Sequence, residues 1–584
     1  MKITPLSPRT HWSKPNLISF DVETIPDERF DLKKDKYQPL LFKLATVKCD
    51  NNPIEVCKSE KDLTLTLLGL CKSQMNNVIV SHNSQFDYSF VNHKLILKRF
   101  RLYKMAMTPF FVNFKSNDRH GRTNILFVDS MNYLRIGLKE IGELIGLEKL
   151  EIDFKTATYD ELETYCKRDT EICYHFMEYV FEFHERYNVP FSITFPQFAY
   201  RTFRKHYLQT EIIISENLQV LQLERNSYKG GRVEAFDMRV YATLNCYDIN
   251  SLYPFVMKDN LFPIKLRLYY NPEVTKMFDT ERVIEKIINE ECVIAKVVVD
   301  LPDEFIGRVP ITRKNKLMFP TGRFETILCS PELRLIQDFI IEVKEFAVYE
   351  SARIFTNYIT DFYALRMKAK EKGQEDEQQM YKLFMNSLYG KFAQRKFVFS
   401  RCKELDDHFN YASAEVDGKN VHWFGGIAYR RDIKTINKFS SVAISSFVTS
   451  YARIHLYNML TSLNNLVYCD TDSLLTTDDL KITKELGGLK LEKVYHNFQA
   501  LGNKMYRADE VFKCKGVTNP RKALVEETNE HMRFEFERIT KIQETIKRTG
   551  RPTPQLMVQK KEYKLHYDKR IINPNWTTQP IHLE

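Results

Sequence analysis

The sequence YDINSLYP at residues 247–254 starts in an apolar segment and ends at a proline. The apolar segment Cys246–Met257 is typical of a buried strand, and proline stops a strand because it lacks the backbone N–H that a sheet ladder needs. Asp248 is therefore expected at a strand end, where connecting segments carry functional side chains.

A second acidic segment, YCDTDS at residues 468–473, lies more than 200 residues further along the chain. It falls within another apolar segment, Asn465–Leu475, so Asp470 and Asp472 are expected at the tip of a hairpin of buried strands. With Asp248 they make three acids, a number that suggests a site for two metal ions.

A helical pattern, KLFMNSLYG at residues 382–390, lies between these two segments. Spacing of i, i+4 and i+7 places Lys382, Asn386 and Tyr389 on one helix face. A cation, an amide and an aromatic ring on one stripe suit a triphosphate and a base. The helix alone is equally compatible with an ordinary amphipathic helix that has a polar face.

Four acids in the first 170 residues, Asp21, Glu23, Asp87 and Asp169, form another candidate set. Asp21 and Glu23 alternate along a predicted strand and so share one face. Asp87 follows another predicted strand, while Tyr165 and Asp169 are four residues apart on a predicted helix. Considered one at a time, the strand acids could equally be solvated surface residues, and Tyr165 could be an ordinary half-buried helix tyrosine. Together, four carboxylates and a hydroxyl that can orient a water match two-metal phosphodiester hydrolysis.

The composition predicts a folded protein of three to five domains, since 584 residues exceed the usual domain size of about 100–200 residues. The 43% hydrophobic and 28% charged content excludes collagen-like and wholly disordered classes. Eleven cysteines without a C-x-x-C pair argue against a disulfide framework or a zinc ribbon, and favour a reducing compartment.

Neither a membrane span nor a signal-peptide core is expected, because apolar runs fall short of about 18–20 residues and Met1–Phe20 has no apolar core. The sequence therefore predicts a soluble, unexported protein that does not contact a membrane. The formal charge of +10 fits a polyanionic partner such as nucleic acid, or only a need for solubility.

The three motifs D-x-x-S-L-Y-P, K-x-x-x-N-S-x-Y-G and Y-x-D-T-D-S closely resemble motifs A, B and C of family B DNA polymerases, in the same order. The resemblance implies that Asp248 and Asp472 hold two Mg²⁺ or Mn²⁺ ions with support from Asp470. Lys382 would contact the incoming triphosphate, and Tyr253 would exclude a ribose 2′-hydroxyl. The implied nucleotide pocket consists of Ser251, Leu252, Tyr253, Lys382, Asn386 and Tyr389.

The first acid set resembles the three exonuclease motifs of proofreading DNA polymerases. The implied ligands of a second pair of ions are Asp21, Glu23, Asp87 and Asp169. Tyr165 would position the attacking water. Asn83, which alone would be taken for a turn residue, would touch the single-stranded DNA end together with Phe86.

Two further motifs imply contacts to duplex DNA. Tyr228, Gly230 and Gly231 resemble the Y-x-G-G loop that contacts the template strand. Lys504 and Tyr506 resemble the K-x-Y motif that holds the primer terminus.

The similarity is greatest to the protein-primed branch of the family, found in small tailed phages and linear plasmids. It implies an α/β and α+β multidomain fold, with an RNase H-like 3′–5′ exonuclease domain followed by a right-hand polymerase of palm, fingers and thumb with two insertions. The expected bounds are exonuclease 1–200, palm 201–261 and 433–522, first insertion 262–355, fingers 356–392, second insertion 393–432 and thumb 523–584.

The implied function is DNA-directed DNA synthesis with proofreading and strand displacement, started from the hydroxyl of a terminal protein. The expected partners of this monomer are template–primer DNA, dNTPs, a terminal protein and a single-strand-binding protein. The expected location is the host cytoplasm for a phage, or the mitochondrion for a linear plasmid. The alternatives are a nuclease that has lost synthesis and a single-strand-binding scaffold with vestigial motifs; complete acid sets at both sites argue against both.

Overall fold

The computed structural model describes residues 1–118, 122–154, 156–271, 279–406, 411–434, 437, 439–528, 530–540, 554–564 and 567–584. Within these ranges, no helix combines the length and apolar character that a membrane span requires. All eleven cysteines carry free thiols.

A mixed sheet forms the core of the N-terminal region. Its parallel centre consists of the strands Asn16–Pro26, Asn76–Ser81 and Asn124–Asp129. Its antiparallel strands are Tyr37–Cys49, Glu55–Cys57, Phe100–Met107 and Phe110–Ser116. The helices around this sheet are Glu60–Gly69, Gln85–Tyr88, His93–Leu97, Leu138–Leu144, Tyr159–Arg186 and Phe195–His206.

The helix Tyr159–Arg186 is the longest in the chain segments described and packs on the first two long strands. Thr158 and Glu161 form a capping box that satisfies the first backbone N–H groups of the helix. Its buried face is lined by apolar residues and carries Tyr165 and Asp169, so packing of that face fixes where these two side chains lie.

A seven-stranded antiparallel sheet forms the second core. Its strands, in spatial order, are Val233–Ala235, Leu466–Asp470, Ser473–Thr476, Val240–Ile249, Leu489–Gly502, Met505–Arg507 and Phe512–Cys514. The predicted hairpin within residues 465–475 is therefore confirmed, with Thr471 and Asp472 at its tip.

The segment Cys246–Met257 is not a single strand, and that prediction is wrong. The strand ends at Ile249, Ser251 adopts a left-handed conformation with φ 55°, and the helix Leu252–Asp259 follows. Pro254 does not stop the strand, because it lies in the first turn of the helix, where a backbone N–H has no partner within the helix.

Helices cover the second sheet. The predicted helix at residues 382–390 is part of Glu375–Phe392, which packs against the preceding helix Thr356–Glu371. The largely buried helix Val442–Thr461 packs against the helices Leu218–Ser227 and Leu252–Asp259. This helix therefore contacts both the helix that precedes the strand Val240–Ile249 and the helix that follows it.

Two smaller sheets occupy the ranges expected for insertions. The first contains Phe262–Tyr270, Ile340–Ala352, Cys292–Leu301, Thr321–Cys329 and the C-terminal strand His582–Leu583. It is accompanied by the helices Thr280–Asn289 and Ser330–Leu335 and by the hairpin of Ile311–Arg313 with Lys316–Met318. The second contains Lys396–Arg401, Ile427–Lys434, Lys419–Phe424 and Tyr411–Val416.

The C-terminal range 523–584, which the sequence suggests as one thumb domain, divides among three sheets, one of which is the sheet of the first insertion that takes up His582–Leu583. Its strands Leu524–Glu527, His531–Ile539 and Gln555–Lys564 extend the N-terminal sheet, because Gln555–Met557 pair with Tyr37–Pro39. The chain then returns to the second core, where Arg570–Ile572 pairs with Thr578–Pro580. Burial of Tyr567 and Arg570 against that core explains the return.

Phe384 anchors the aromatic contact between the two cores, and we expect Phe384→Ala to lower the free energy of unfolding by about 3–5 kcal/mol. The ring is fully buried, 4.4 Å from Phe362 and 4.9 Å from both Phe195 and Phe198 between ring centroids. Leu65→Ala, at a side chain that is 50% exposed, should cost less than about 1 kcal/mol. Denaturant unfolding measures both, and equal losses would contradict the assignment.

Candidate active sites

The first predicted acid set comes together at the centre of the N-terminal sheet. Asp21 and Glu23 face the same side of their strand, because successive strand residues alternate between faces. Asp87, from a one-turn helix, reaches the same strand, where its Oδ1 accepts a hydrogen bond from the Val22 backbone N–H at 3.2 Å.

The long helix brings Asp169 and an unexpected thiol to these acids. Cys166 Sγ donates a hydrogen bond to Asp21 Oδ2 at 3.4 Å. Ligand atoms of Asp21, Glu23 and Cys166 lie within 4.8 Å of one another. Because most of the donors are carboxylate oxygens, the site fits a hard divalent cation such as Mg²⁺ or Mn²⁺.

Burial raises the pKa of every carboxylate in this set, and repulsion between carboxylates adds to the rise for Asp21, Glu23 and Asp87. The pKa of Asp21 rises to about 7, because burial disfavours its charge and Asp169 repels it. The pKa of Glu23 rises to about 9 through burial and repulsion by Asp21 and Asp169. Burial also raises the pKa values of Asp87 and Asp169. The site therefore favours bound protons or cations over bare negative charge.

Lys149 is a site residue that the sequence analysis missed. Its Nζ forms a partly buried ion pair with Asp169 and lies 4.1 Å from the centroid of the Tyr165 ring. Phe154 packs edge-on against the same ring, with 5.3 Å between centroids. Lys149 follows the helix Leu138–Leu144 as a single lysine between Glu148 and Leu150, and no sequence motif marks it.

Asn83 and Phe86 lie beside the acids. Asn83 is exposed, adopts a left-handed conformation with φ 57°, and its backbone N–H donates to Asp129 Oδ1 at 3.0 Å. The half-buried Phe86 packs edge-on against Phe90. Asn83 thus acts as a turn residue, and its side chain remains available to a ligand.

The second predicted acid set lies where two distant segments of the second sheet become neighbours. Asp248 and Asp470 both pair with Ser473, because their strands lie on either side of the strand that begins at Ser473. The backbone N–H of Ile249 donates to the carbonyl of Asp472 at 2.7 Å. The structure therefore brings together the three acids that the sequence suggests, on a rigid sheet.

Two lysines neutralise part of this second set. Lys490 Nζ lies 2.9 Å from Asp248 Oδ2, and Lys504 Nζ lies 3.1 Å from Asp470 Oδ1. The pKa of Asp472 rises to about 6, because burial disfavours its charge and Asp248 repels it. Lys490 was not predicted, since it is one of several lysines in a polar strand. The carboxylate donor set again fits Mg²⁺ or Mn²⁺.

The side chains of the predicted nucleotide pocket lie on two neighbouring helices. The rings of Tyr253 and Tyr389 stack with 4.6 Å between centroids. Lys382 is exposed on the same helix as Tyr389, and Asn386 Nδ2 donates to the carbonyl of Lys382 at 3.0 Å. Leu252 is only 1% exposed and packs in the core, so its side chain does not line an open nucleotide pocket.

Arg366, beside this pocket, is another residue that the sequence analysis missed. Its Nη1 donates to Ser251 Oγ at 2.9 Å, so it holds the residue at which the strand turns into the helix. Burial lowers the pKa of this guanidinium.

The Y-x-G-G loop packs directly on the turn that carries Asp472. A Cβ added at Gly231 would lie 2.7 Å from the Thr471 side chain, so only glycine allows this approach. The carbonyl of Gly230 accepts a hydrogen bond from Arg453 at 2.9 Å, and Tyr228 is half-buried beside it. The loop is thus fixed against the second acid set.

The K-x-Y motif also contacts this region. The backbone N–H of Lys504, a residue with φ 58°, donates to the Tyr468 hydroxyl at 3.0 Å. Tyr506 packs on Tyr468 and Phe498, with centroid distances of 5.9 and 5.4 Å.

Known sequences resemble this chain. A family model described as DNA polymerase type B, organellar and viral, matches residues 146–465. A probable DNA polymerase of Neurospora intermedia is 28% identical over 377 residues, covering 60% of this chain and 38% of that protein. A DNA-directed DNA polymerase of Enterobacteria phage PRD1 is 26% identical over 291 residues, covering 48% of this chain and 49% of that protein. The matched part of the chain spans at most half the length of these relatives.

A solved structure of Phi29 DNA polymerase complexed with primer–template DNA has the same overall fold. The TM-score is 0.68 at 16% identity, covering 95% of this chain and 100% of that chain. The predicted fold class, an RNase H-like exonuclease domain followed by a right-hand polymerase with two insertions, is thereby confirmed.

We expect Asp21→Asn to raise the unfolding temperature at pH 8 in EDTA, but not at pH 4. The pKa of Asp21 is about 7 in the folded protein, against 3.8 as its ordinary value. Between pH 3.8 and about pH 7 the folded state holds a proton that the unfolded chain has lost. The stability of the wild-type protein therefore falls as the pH rises through this range. Asparagine does not titrate and avoids this loss.

Thermal unfolding at both pH values measures this effect, with Asp417→Asn, at an exposed turn, as the control. Saturating Mg²⁺ at pH 8 should remove the advantage of Asp21→Asn, because the wild-type acids then gain a cation. An equal shift at pH 4 and pH 8 would contradict the electrostatic account.

Proposed function

The chain belongs to the family of type B DNA polymerases of organelles and viruses, and on that premise we propose that it is a DNA-directed DNA polymerase with a proofreading 3′–5′ exonuclease. The observation that carries the proposal is the presence of two complete acid sets on two different sheets of one chain. Asp248, Asp470 and Asp472 would serve synthesis. Asp21 and its three partner acids would serve degradation.

At the polymerase site, Asp248 and Asp472 would hold two divalent ions, with Asp470 in support. Ions bound there would activate the primer 3′-hydroxyl and stabilise charge on the α-phosphate in an in-line transfer. Lys382, exposed beside the pocket, would contact the triphosphate. The Tyr253 ring, fixed by stacking on Tyr389, would leave no room for a ribose 2′-hydroxyl.

The nucleotide and the primer would be aligned by residues around this site. Asn386 and Tyr389 would line the pocket on the base side, and the backbone at Ser251 and Leu252 would lie near the phosphates. Lys504 and Tyr506 would hold the primer terminus, whereas the glycine loop at Gly230 and Gly231 would contact the template. Each of these side chains or loops is fixed by the packing described above, and fixed groups orient reactants efficiently.

At the exonuclease site, two divalent ions held by Asp21, Glu23, Asp87 and Asp169 would activate water and stabilise the leaving 3′-oxygen. Tyr165 would orient the attacking water, and Lys149 would hold both Tyr165 and Asp169 in place. The exposed side chain of Asn83 and the ring of Phe86 would contact the last nucleotides of a single strand.

The domain assignment is part of the proposal. The ranges 1–200, 201–261 with 433–522, and 356–392 would be exonuclease, palm and fingers. The sheets at 262–355 and 393–432 would be the two insertions, the first facing a terminal protein and the second the DNA. The basic hairpin within 523–564 would act as the thumb and grip duplex phosphates.

We further propose that a terminal protein supplies the priming hydroxyl and that synthesis displaces the non-template strand, with help from a single-strand-binding protein. The support is the likeness to phage and fungal proteins, of which the phage PRD1 relative is named a DNA-directed DNA polymerase. The chain would act as a monomer in the cytoplasm of a phage host, or in a mitochondrion if a linear plasmid encodes it.

Separate substitutions test whether the two acid sets act independently. We expect Asp248→Ala or Asp472→Ala to abolish primer extension and to leave degradation of single-stranded DNA, because only the polymerase ion ligands are removed. Asp21→Ala combined with Glu23→Ala should do the reverse. Gel analysis of a 5′-labelled oligonucleotide measures both activities.

Asp50→Ala, at an exposed surface acid, is the matched control and should leave both activities unchanged. Loss of both activities in any folded single-site variant would count against two sites. Degradation without extension by the unmodified protein would favour a nuclease that does not synthesise DNA.

A further inference from the structure

A buried charge cluster joins the C-terminal segment to the polymerase site. Glu234 Oε2 accepts a hydrogen bond from Arg232 Nε at 2.6 Å, and Glu234 Oε1 lies 3.4 Å from Arg570 Nη1. All three side chains are at most 1% exposed. Burial of charges is costly unless they are paired, so these residues constrain one another strongly.

The cluster lies on the backbone that supports the catalytic turn. The strand Val233–Ala235 pairs with the strand Leu466–Asp470, with Glu234 opposite Cys469. The carbonyl of Arg232 accepts a hydrogen bond from the Thr471 backbone N–H at 2.7 Å. A shift of Arg232 or Glu234 would therefore move the turn that carries Asp472.

The C-terminal segment, residues 567–584, covers the outer edge of this strand, which is the last strand of its sheet. The Tyr567 hydroxyl accepts a hydrogen bond from the Ala235 backbone N–H at 2.9 Å. Thr578 Oγ1 donates to the Ala235 carbonyl at 2.7 Å, and Lys569 Nζ donates to the Val233 carbonyl at 3.1 Å. The segment thus satisfies backbone groups that an edge strand would otherwise leave unpaired.

Arg570 connects these contacts to one another. Its Nε donates to Thr578 Oγ1 at 2.8 Å, and its Nη2 donates to the Phe305 carbonyl of the first insertion at 2.7 Å. Its guanidinium lies 4.6 Å from the centroid of the Phe236 ring. One side chain therefore links the C-terminal segment, the edge strand and the first insertion.

The cluster also carries more positive than negative charge behind the acidic turn. Arg232, Arg570 and Lys569 face the single carboxylate of Glu234. Burial lowers the pKa of Lys569, whereas the charges of Glu234 and Asp470 act in the opposite direction. This excess of positive charge lies on and beside the strand that pairs with the strand ending at Asp470.

We propose that Arg570 is a positioning residue for nucleotidyl transfer, which acts through Glu234 and Arg232 to hold the Asp470–Asp472 turn in its ion-binding geometry. The inference rests on the proposed polymerase activity and extends it to the C-terminal segment. Arg570 touches neither DNA nor nucleotide in this role. It fixes the distance between the turn and Asp248, on which the shared ions depend.

The test compares Arg570→Met, Arg570→Lys and the exposed control Arg313→Met in the full-length chain. Methionine removes the charge and the donors, whereas lysine keeps the charge but loses the forked hydrogen bonds. Single-nucleotide extension gives kcat, the KM for dNTP and the Mg²⁺ concentration at half-maximal rate. Degradation of single-stranded DNA, template–primer affinity and thermal unfolding are measured on the same samples.

We expect Arg570→Met to lower kcat by about 10- to 100-fold, because small misplacements of reacting groups are this costly. The Mg²⁺ requirement for extension should rise several-fold, with the KM for dNTP, the degradation rate and the DNA affinity unchanged. Arg570→Lys should recover part of the kcat and of the Mg²⁺ response. A residue with only a structural role would not change the Mg²⁺ requirement of one site alone.

Extension by Arg570→Met that equals extension by Arg313→Met would overturn the inference alone. A parallel fall of extension, degradation and DNA affinity, with an unchanged Mg²⁺ requirement, would also overturn it, because it would indicate general loss of structure. Failure of the unmodified protein to extend any primer would instead overturn the proposed function, and the inference with it.

Discussion

Repulsion between carboxylates held close together is the constraint on which both sites depend. Each acid set brings carboxylates from separate segments close together in a partly buried place. Burial and the nearness of like charges both oppose ionisation. The raised pKa values of Asp21, Glu23 and Asp472 record this cost. Rigid sheets keep the acids together despite it, and cations must complete each site.

Lysines are the internal cations that offset part of this repulsion. Lys149 pairs with Asp169 in the first site, while Lys490 and Lys504 pair with Asp248 and Asp470 in the second. In each site, other acids remain without such a partner among the ion pairs of the described residues, which leaves room for divalent ions. The first site lies on the ten-stranded sheet and the second on the seven-stranded sheet, and the aromatic packing around Phe384 connects the helices beside them.

The acids could be predicted from the sequence because each lies in a local pattern that is visible without the structure. Asp470 and Asp472 interrupt an apolar hairpin, and Tyr165 and Asp169 share a helix face. Lys149, Lys490 and Arg366 could not be predicted in the same way, because a single basic residue outside a motif has many equivalents among the 86 Lys and Arg residues of the chain. Their roles depend on contacts between segments far apart in sequence.

The fold shows the same division between local and long-range information. Strand and helix types followed from periodicity, but the turn at Ser251 depends on a left-handed backbone and on Arg366, which periodicity does not reveal. The split of the C-terminal range likewise depends on pairing with Tyr37–Pro39 and on burial of Arg570. Neither partner is visible in the local sequence.

The central claim is that one chain carries two working sites of opposite effect. The most direct measurement is the length of a 5′-labelled primer on a longer template, with Mg²⁺, in the presence and absence of dNTPs. Primers that lengthen with dNTPs and shorten without them are the predicted result. Primers that shorten under both conditions would contradict the assignment of Asp248, Asp470 and Asp472 to DNA synthesis.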